Sequence, residues 1–93
     1  MAENKVTSPE TREDLQKRLR RIEGQVRGVQ KMIADERECG DILQQLAAVR
    51  SAVQQTTLIL ARSYACECLL KPRAEATPEE VVDSLMGILN KVP

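Results

Sequence analysis

Cys39 and Cys68 are the residues of this chain best equipped for chemistry, because thiolates are soft nucleophiles and soft metal ligands. Cys39 stands in Glu38-Cys39-Gly40-Asp41, where a long helical pattern should begin. Cys68 stands near its end, in Tyr64-Ala65-Cys66-Glu67-Cys68. At about 1.5 Å rise per residue, positions 39 and 68 lie roughly 43 Å apart along one helix. The two thiols cannot meet within one chain. Antiparallel packing of two copies of the helix brings each Cys39 beside the partner's Cys68. Such a dimer builds two thiol-lined sites at its interface, which is the geometry of a sensor.

The local chemistry of Cys39 is mixed. A helix N-terminus favours the thiolate and Arg37 adds positive charge, whereas Glu36, Glu38 and Asp41 oppose it. A Cys39 thiolate can attack persulfide sulfur and then bridge to the partner's Cys68 through a di- or polysulfide. The same two thiolates suit Cu(I), held linearly. Cys66 points about 200° away from Cys68 on a helix and is an auxiliary thiol only if the helix unwinds near Pro72. Tyr64 shares the face of Cys68, at i and i+4. Its phenol fits beside the site as a hydrogen-bond donor to a thiolate and is too hard to bind Cu(I). The competing readings are plain: each cysteine a small buried hydrophobe, and Tyr64 an interface packing residue.

Composition narrows the alternatives. The chain has 93 residues, enough for one small domain. It has no His, Phe or Trp and a single Tyr. The core must therefore be aliphatic, and His-based catalysis and His metal ligands are excluded. Without His or a nucleophile–base pair, and with a long bundle offering no deep pocket, an enzyme is not expected. Three cysteines are an odd number and argue against a disulfide framework. The polar N-terminal stretch contains neither a signal peptide nor a membrane span, so a cytoplasmic location with reduced cysteines is expected.

Three helices account for the periodicity. Ser8 reads as an N-cap and Pro9 as the first residue of a helix reaching about residue 35, after a flexible segment 1–8. Leu15, Leu19, Ile22, Val26, Val29 and Ile33 form its apolar stripe. Gly24 and Gly28 interrupt it at a cost of about 1 kcal/mol each relative to Ala, which points to close helix packing. The second helix, about 40–70, carries two stripes: Ile42, Leu46, Val49, Val53, Thr56 and Leu60, and then Leu43, Ala47, Leu58, Ala61 and Ala65. Two apolar faces need two sets of neighbours. Lys71-Pro72-Arg73 stops it. Thr77 and Pro78 open a third helix, about 78–91, with Val81, Val82, Leu85, Met86, Ile88 and Leu89 on its apolar face. An all-α fold follows, with residues 9–93 as a single domain. Its architecture is an antiparallel hairpin that dimerises into a four-helix bundle and is free to extend to a tetramer. A monomeric three-helix bundle would leave the second helix uncovered.

The net charge is zero, yet it is unevenly spread. Lys17, Arg18, Arg20, Arg21, Arg27 and Lys31 face only Glu23 within their segment, while Glu75, Glu79, Glu80 and Asp83 make the C-terminal part acidic. One reading is a solvated, salt-bridged surface. The other is a phosphate-binding face, with Arg18, Arg21 and Arg50 aligned across the hairpin. A two-fold dimer would repeat that face and suit a palindromic DNA site. No helix-turn-helix is evident, so recognition would run through phosphates and DNA shape.

Arg18-Leu-Arg-Arg-Ile-Glu-Gly-Gln-Val-Arg-Gly28 and Glu38-Cys-Gly-Asp-Ile-Leu-Gln-Gln-Leu-Ala-Ala-Val-Arg-Ser-Ala52, followed by the late thiol, closely resemble the CsoR/RcnR/FrmR family of bacterial transcriptional repressors. The resemblance covers about residues 11 to 70. It implies a dimer-of-dimers tetramer that binds double-stranded operator DNA through basic residues of the first two helices and lets go when a small effector binds. Arg18 matches a DNA-contacting position, and a second basic position falls on Gln55 here. Cys39 matches the shared thiol, and Cys68 the thiol that copper sensors supply from the other subunit. Copper sensors of the family carry His four residues before that thiol, where this chain has Tyr64. Nickel and cobalt members use several His. Formaldehyde members use an N-terminal Pro, where residue 2 here is Ala. Sulfur-responsive members keep two thiols without the His, and this chain matches that pattern best. The expectation is therefore a repressor gated by a thiophilic effector at Cys39 and Cys68: persulfide sulfur first, Cu(I) as the alternative, with no constitutive cofactor. A cytosolic helical scaffold with incidental thiols is the reading outside this class, and salt-dependent DNA binding separates the two.

Overall fold

The structure, a computed structural model, describes residues 6, 8–70 and 77–90, and of residues 67–70 the backbone only. Three helices occur in the order α1 (Pro9–Ala34), α2 (Cys39–Leu70) and α3 (Pro78–Leu89), and no strand is present among the described residues. The sequence pattern places these helices at about 9–35, 40–70 and 78–91, and residue 91 lies outside the described residues. The Lys71-Pro72-Arg73 stop and most of the flexible segment 1–8 lie outside the described residues.

Each helix start has a local cause. Ser8 is extended, and its Oγ accepts from Thr11 N at 3.3 Å while Pro9 needs no partner for a missing N–H. Arg12 Nη2 donates to the Val6 carbonyl at 3.1 Å. Thr77 repeats the device for α3, accepting from Glu80 N at 3.2 Å beside Pro78. α2 begins one residue earlier than its sequence pattern indicates, because Glu38 O accepts from Ile42 N at 3.1 Å. That bond makes Cys39 the first helical residue.

The α1–α2 corner is a tight C-cap. Arg37 N donates to Met32 O at 2.9 Å and Glu36 N to Ile33 O at 3.1 Å, the paired bonds of a Schellman motif. Its left-handed position, usually glycine, is Glu36 with φ of 56°. No sequence signal marks this corner.

Packing uses half of the expected α1 stripe. Leu15, Ile22 and Val29, seven residues apart, are buried against α2. Leu19, Val26 and Ile33, also seven apart, are exposed, Ile33 to 59%. On α2 the same split appears: Thr56 is buried and Ile42, Val49, Ala52 and Ile59 are half-buried, whereas Leu46, Val53 and Leu60 are exposed. Thr56 satisfies its hydroxyl within the helix, donating to Ala52 O at 2.8 Å. Ala61 is buried and Ala65 half-buried on the second α2 stripe, and Leu43 and Leu58 are exposed, Leu43 to 65%. Val81 anchors α3.

Gly24 and Gly28 find no close helix packing within the single chain. A Cβ added at either position meets nothing within 4 Å, so close packing inside the chain does not account for them. They lie on the outer face of α1.

The molecule is elongated, 56 × 27 × 18 Å, with a radius of gyration of 17.1 Å. A compact globule of about this length has a radius near 13 Å. No described side chain is fully buried. Two heptad-spaced apolar rows, Leu19-Val26-Ile33 and Leu46-Val53-Leu60, therefore remain uncovered within a single chain.

Candidate functional site

Cys39 occupies the first turn of α2 and is exposed. The first-turn amides of α2 have no intrahelical carbonyl partner. Arg37 is committed elsewhere: its Nη2 lies 3.5 Å from Asp41 Oδ2. The positive charge expected to assist the thiol is thus shared with the carboxylate that opposes it. The Schellman corner fixes where the thiol sits, since only Arg37 and Glu38 separate the left-handed Glu36 from Cys39.

Cys68 lies on the same unbroken helix, and its side chain is outside the described residues. The helix is continuous over 32 residues, about 48 Å. The structure therefore keeps Cys39 and Cys68 roughly 43 Å apart within one chain. Tyr64 is half-buried, one turn before Cys68 on the same face of α2. Cys66 is exposed, and the helix runs through 66–68 without the unwinding that would turn it toward Cys68. Among the described residues no group of three or more His, Cys, Asp or Glu gathers into a metal-holding cluster. Any site built from Cys39 and Cys68 must therefore join two chains.

The basic residues divide by their partners. Lys17, Arg20, Arg21, Arg27 and Lys31 are exposed on the α1 face opposite Leu15, Ile22 and Val29, with Gly24 and Gly28 between them. Arg50 is exposed on α2. Arg27 makes a loose pair with Glu23 at 3.7 Å. Arg18 behaves differently from the others. It is half-buried at the edge of the hairpin, and its Nε donates to both carboxylate oxygens of Asp14, at 3.2 and 3.3 Å. Asp14 reads from sequence only as an acid near the α1 N-terminus. Its i, i+4 spacing to Arg18 is the signal that identifies it as a partner.

Four further residues matter here. Glu36 sets the corner, Asp14 holds Arg18, and Asp41 holds Arg37. Gln25 buries its Oε1 without a hydrogen-bond partner on the α2-facing flank of α1.

Residues 11–91 match the family model described as metal-sensitive transcriptional repressor. The chain is 34% identical over 84 residues to the copper-sensing transcriptional repressor CsoR of Bacillus subtilis, covering 90% of this chain and 83% of that protein. Among solved structures it is similar to the copper-sensing repressor CsoR with Cu(I) from Geobacillus thermodenitrificans NG80-2. The TM-score is 0.77 and the identity 40%, over 98% of this chain and 92% of that one. The nickel-responsive transcriptional regulator InrS superposes with a TM-score of 0.71 at 31% identity, over 97% of this chain and 98% of that one. No described helix is long and apolar enough to cross a membrane.

Proposed function

The chain belongs to the metal-sensitive transcriptional repressor family, a non-enzymatic family, and from that premise we propose that it is an operator-binding repressor released by a thiophilic effector at Cys39 and the partner's Cys68. The observation that carries the proposal is the separation of the two thiols on one rigid helix. That separation makes the site intersubunit, so an effector bound there acts on the assembly rather than on one chain.

The assembly follows from the uncovered rows. Leu19-Val26-Ile33 and Leu46-Val53-Leu60 give a second hairpin two seams to close, as an antiparallel four-helix bundle. The exposed apolar residues of α3, Val82, Met86 and Ile88, extend the contact toward a tetramer. Double-stranded DNA then lies along the outer α1 faces, where Lys17, Arg20, Arg21, Arg27 and Lys31 neutralise phosphates. Arg18 and Arg50 add to that surface.

Two effectors fit the thiols. The absence of any His favours persulfide sulfur. In that chemistry the Cys39 thiolate attacks the outer sulfur of R–S–SH, becomes Cys39–S–SH and releases R–S⁻. The partner's Cys68 thiolate then attacks the Cys39 sulfur, forms a Cys39–Cys68 disulfide and expels HS⁻. Two thiols are oxidised, the sulfane sulfur is reduced, and two chains become covalently joined. Cu(I) is the second reading, favoured by the copper-sensing relatives at 34% and 40% identity. Two thiolates would hold it linearly. Tyr64 stands beside either site as a packing and hydrogen-bonding residue. Either effector shifts the population toward one packing of the bundle, and that packing misplaces the basic faces on DNA.

The test is anaerobic release. Reduced protein on DNA from upstream of its own gene is titrated with an organic persulfide or with stoichiometric Cu(I). Persulfide release with a covalent dimer supports the first reading, and Cu(I) release without a mass change supports the second.

A further inference from the structure

Within this repressor reading, the structure carries a further consequence for one arginine. We propose that Asp14 sets the DNA affinity of the chain by holding Arg18 in an ion pair that phosphate must displace. The pair is two-pronged on the acceptor side, with Nε of Arg18 3.2 Å from Oδ1 and 3.3 Å from Oδ2 of Asp14. A carboxylate accepts from a guanidinium as a phosphate does, so Asp14 competes with a DNA phosphate for the Nε donor of Arg18. The acid lies four residues before the arginine, the favourable order on a helix.

Accessibility decides whether displacement is feasible. The side chains of Arg18 and Asp14 are 40% and 46% exposed, so the pair is weak and open to competition. An i, i+4 pair of this kind shifts an equilibrium by about twofold. Glu23 and Arg27 provide an internal contrast, because their contact is 3.7 Å and both are more exposed, at 64% and 78%. That looser pair should restrain its arginine less.

The experiment uses the full chain and a mixed-sequence DNA duplex, since a phosphate contact does not depend on base sequence. Asp14→Asn is expected to tighten binding about twofold per engaged chain, hence about fourfold for a two-fold dimer. Glu23→Gln should change it less. In an Arg18→Gln background, Asp14→Asn should have no effect, because its target is gone. Circular dichroism verifies the helices, and Asp14→Gln replaces Asp14→Asn if the helix is disturbed. Unchanged or weaker binding by Asp14→Asn overturns the proposal, as does a gain that persists without Arg18. If the wild-type chain shows no salt-dependent binding at all, the repressor reading fails first and this one with it.

Discussion

Cys39 opens α2 and Cys68 lies near the end of the same unbroken helix, roughly 43 Å away. A rigid spacer of that length separates the two thiols more completely than a flexible linker would. Two copies of the helix packed antiparallel with their ends aligned would place each Cys39 beside the partner's Cys68. The distance that prevents an intrachain bond is what turns thiol chemistry into a statement about quaternary structure.

Removing either thiol should therefore separate sensing from binding. Cys39→Ala and Cys68→Ala are each expected to bind DNA with near wild-type affinity and to resist release by the effector. Cys66→Ser should behave as wild type, because position 66 points away from 68 on a continuous helix. Fluorescence anisotropy on labelled DNA, with and without effector, reads all three. Normal release by Cys39→Ala would remove the site assignment.

The assembly is testable on its own. Sedimentation of the wild-type chain should show no population at the 10.4 kDa of a single chain. Val53→Glu places a charge in the middle of the exposed row Leu46-Val53-Leu60, where burial without a partner costs several kcal/mol. That variant is expected to sediment as a monomer with reduced helicity. An unchanged mass would mean that this row is not an interface.

The corner that sets Cys39 carries a cost. Glu36 holds φ of 56°, a region where a side chain costs about 1 kcal/mol relative to glycine. Glu36→Gly should raise stability by roughly that amount, less the added freedom of the unfolded chain. Thermal denaturation at fixed protein concentration measures it. A lowered melting temperature would show that the Glu36 side chain contributes something its backbone does not reveal.

The glycines of α1 ask the opposite question. In one chain, Gly24→Ala and Gly28→Ala meet nothing and should each stabilise the helix by about 1 kcal/mol. Urea denaturation of each variant gives the sign. Destabilisation would place a second chain against this outer face, rather than open solvent.

Much of this fold is legible in the residues themselves. Ser8-Pro9 and Thr77-Pro78 mark two helix starts, because a capping hydroxyl followed by proline satisfies the orphan amides of a first turn. The alternation of Leu15, Ile22 and Val29 with Leu19, Val26 and Ile33 specifies a helix. It does not say which row the chain's own α2 covers, since both rows are equally apolar. Periodicity names a face, and only a neighbour decides its burial. The corner is invisible in sequence because Glu36 is not a residue that favours the left-handed region. The proposed thiol site rests on a spacing, and the proposed basic face on a run of charge. The pairing of Arg18 with Asp14, and of Arg37 with Asp41, is allowed by their i, i+4 spacing, and the placed side chains show which of the possible pairs form.

The most direct test of the central claim is the mass of the chain after effector treatment. Reduced protein is exposed anaerobically to an organic persulfide, and its intact mass is read without reductant, alongside Cys39→Ala and Cys68→Ala. The account predicts a covalent dimer of twice 10.4 kDa in the wild type, joined from Cys39 to Cys68, that is absent from both variants and has lost its hold on DNA. A wild-type chain that stays monomeric in mass and keeps its DNA through both persulfide and Cu(I) would contradict it.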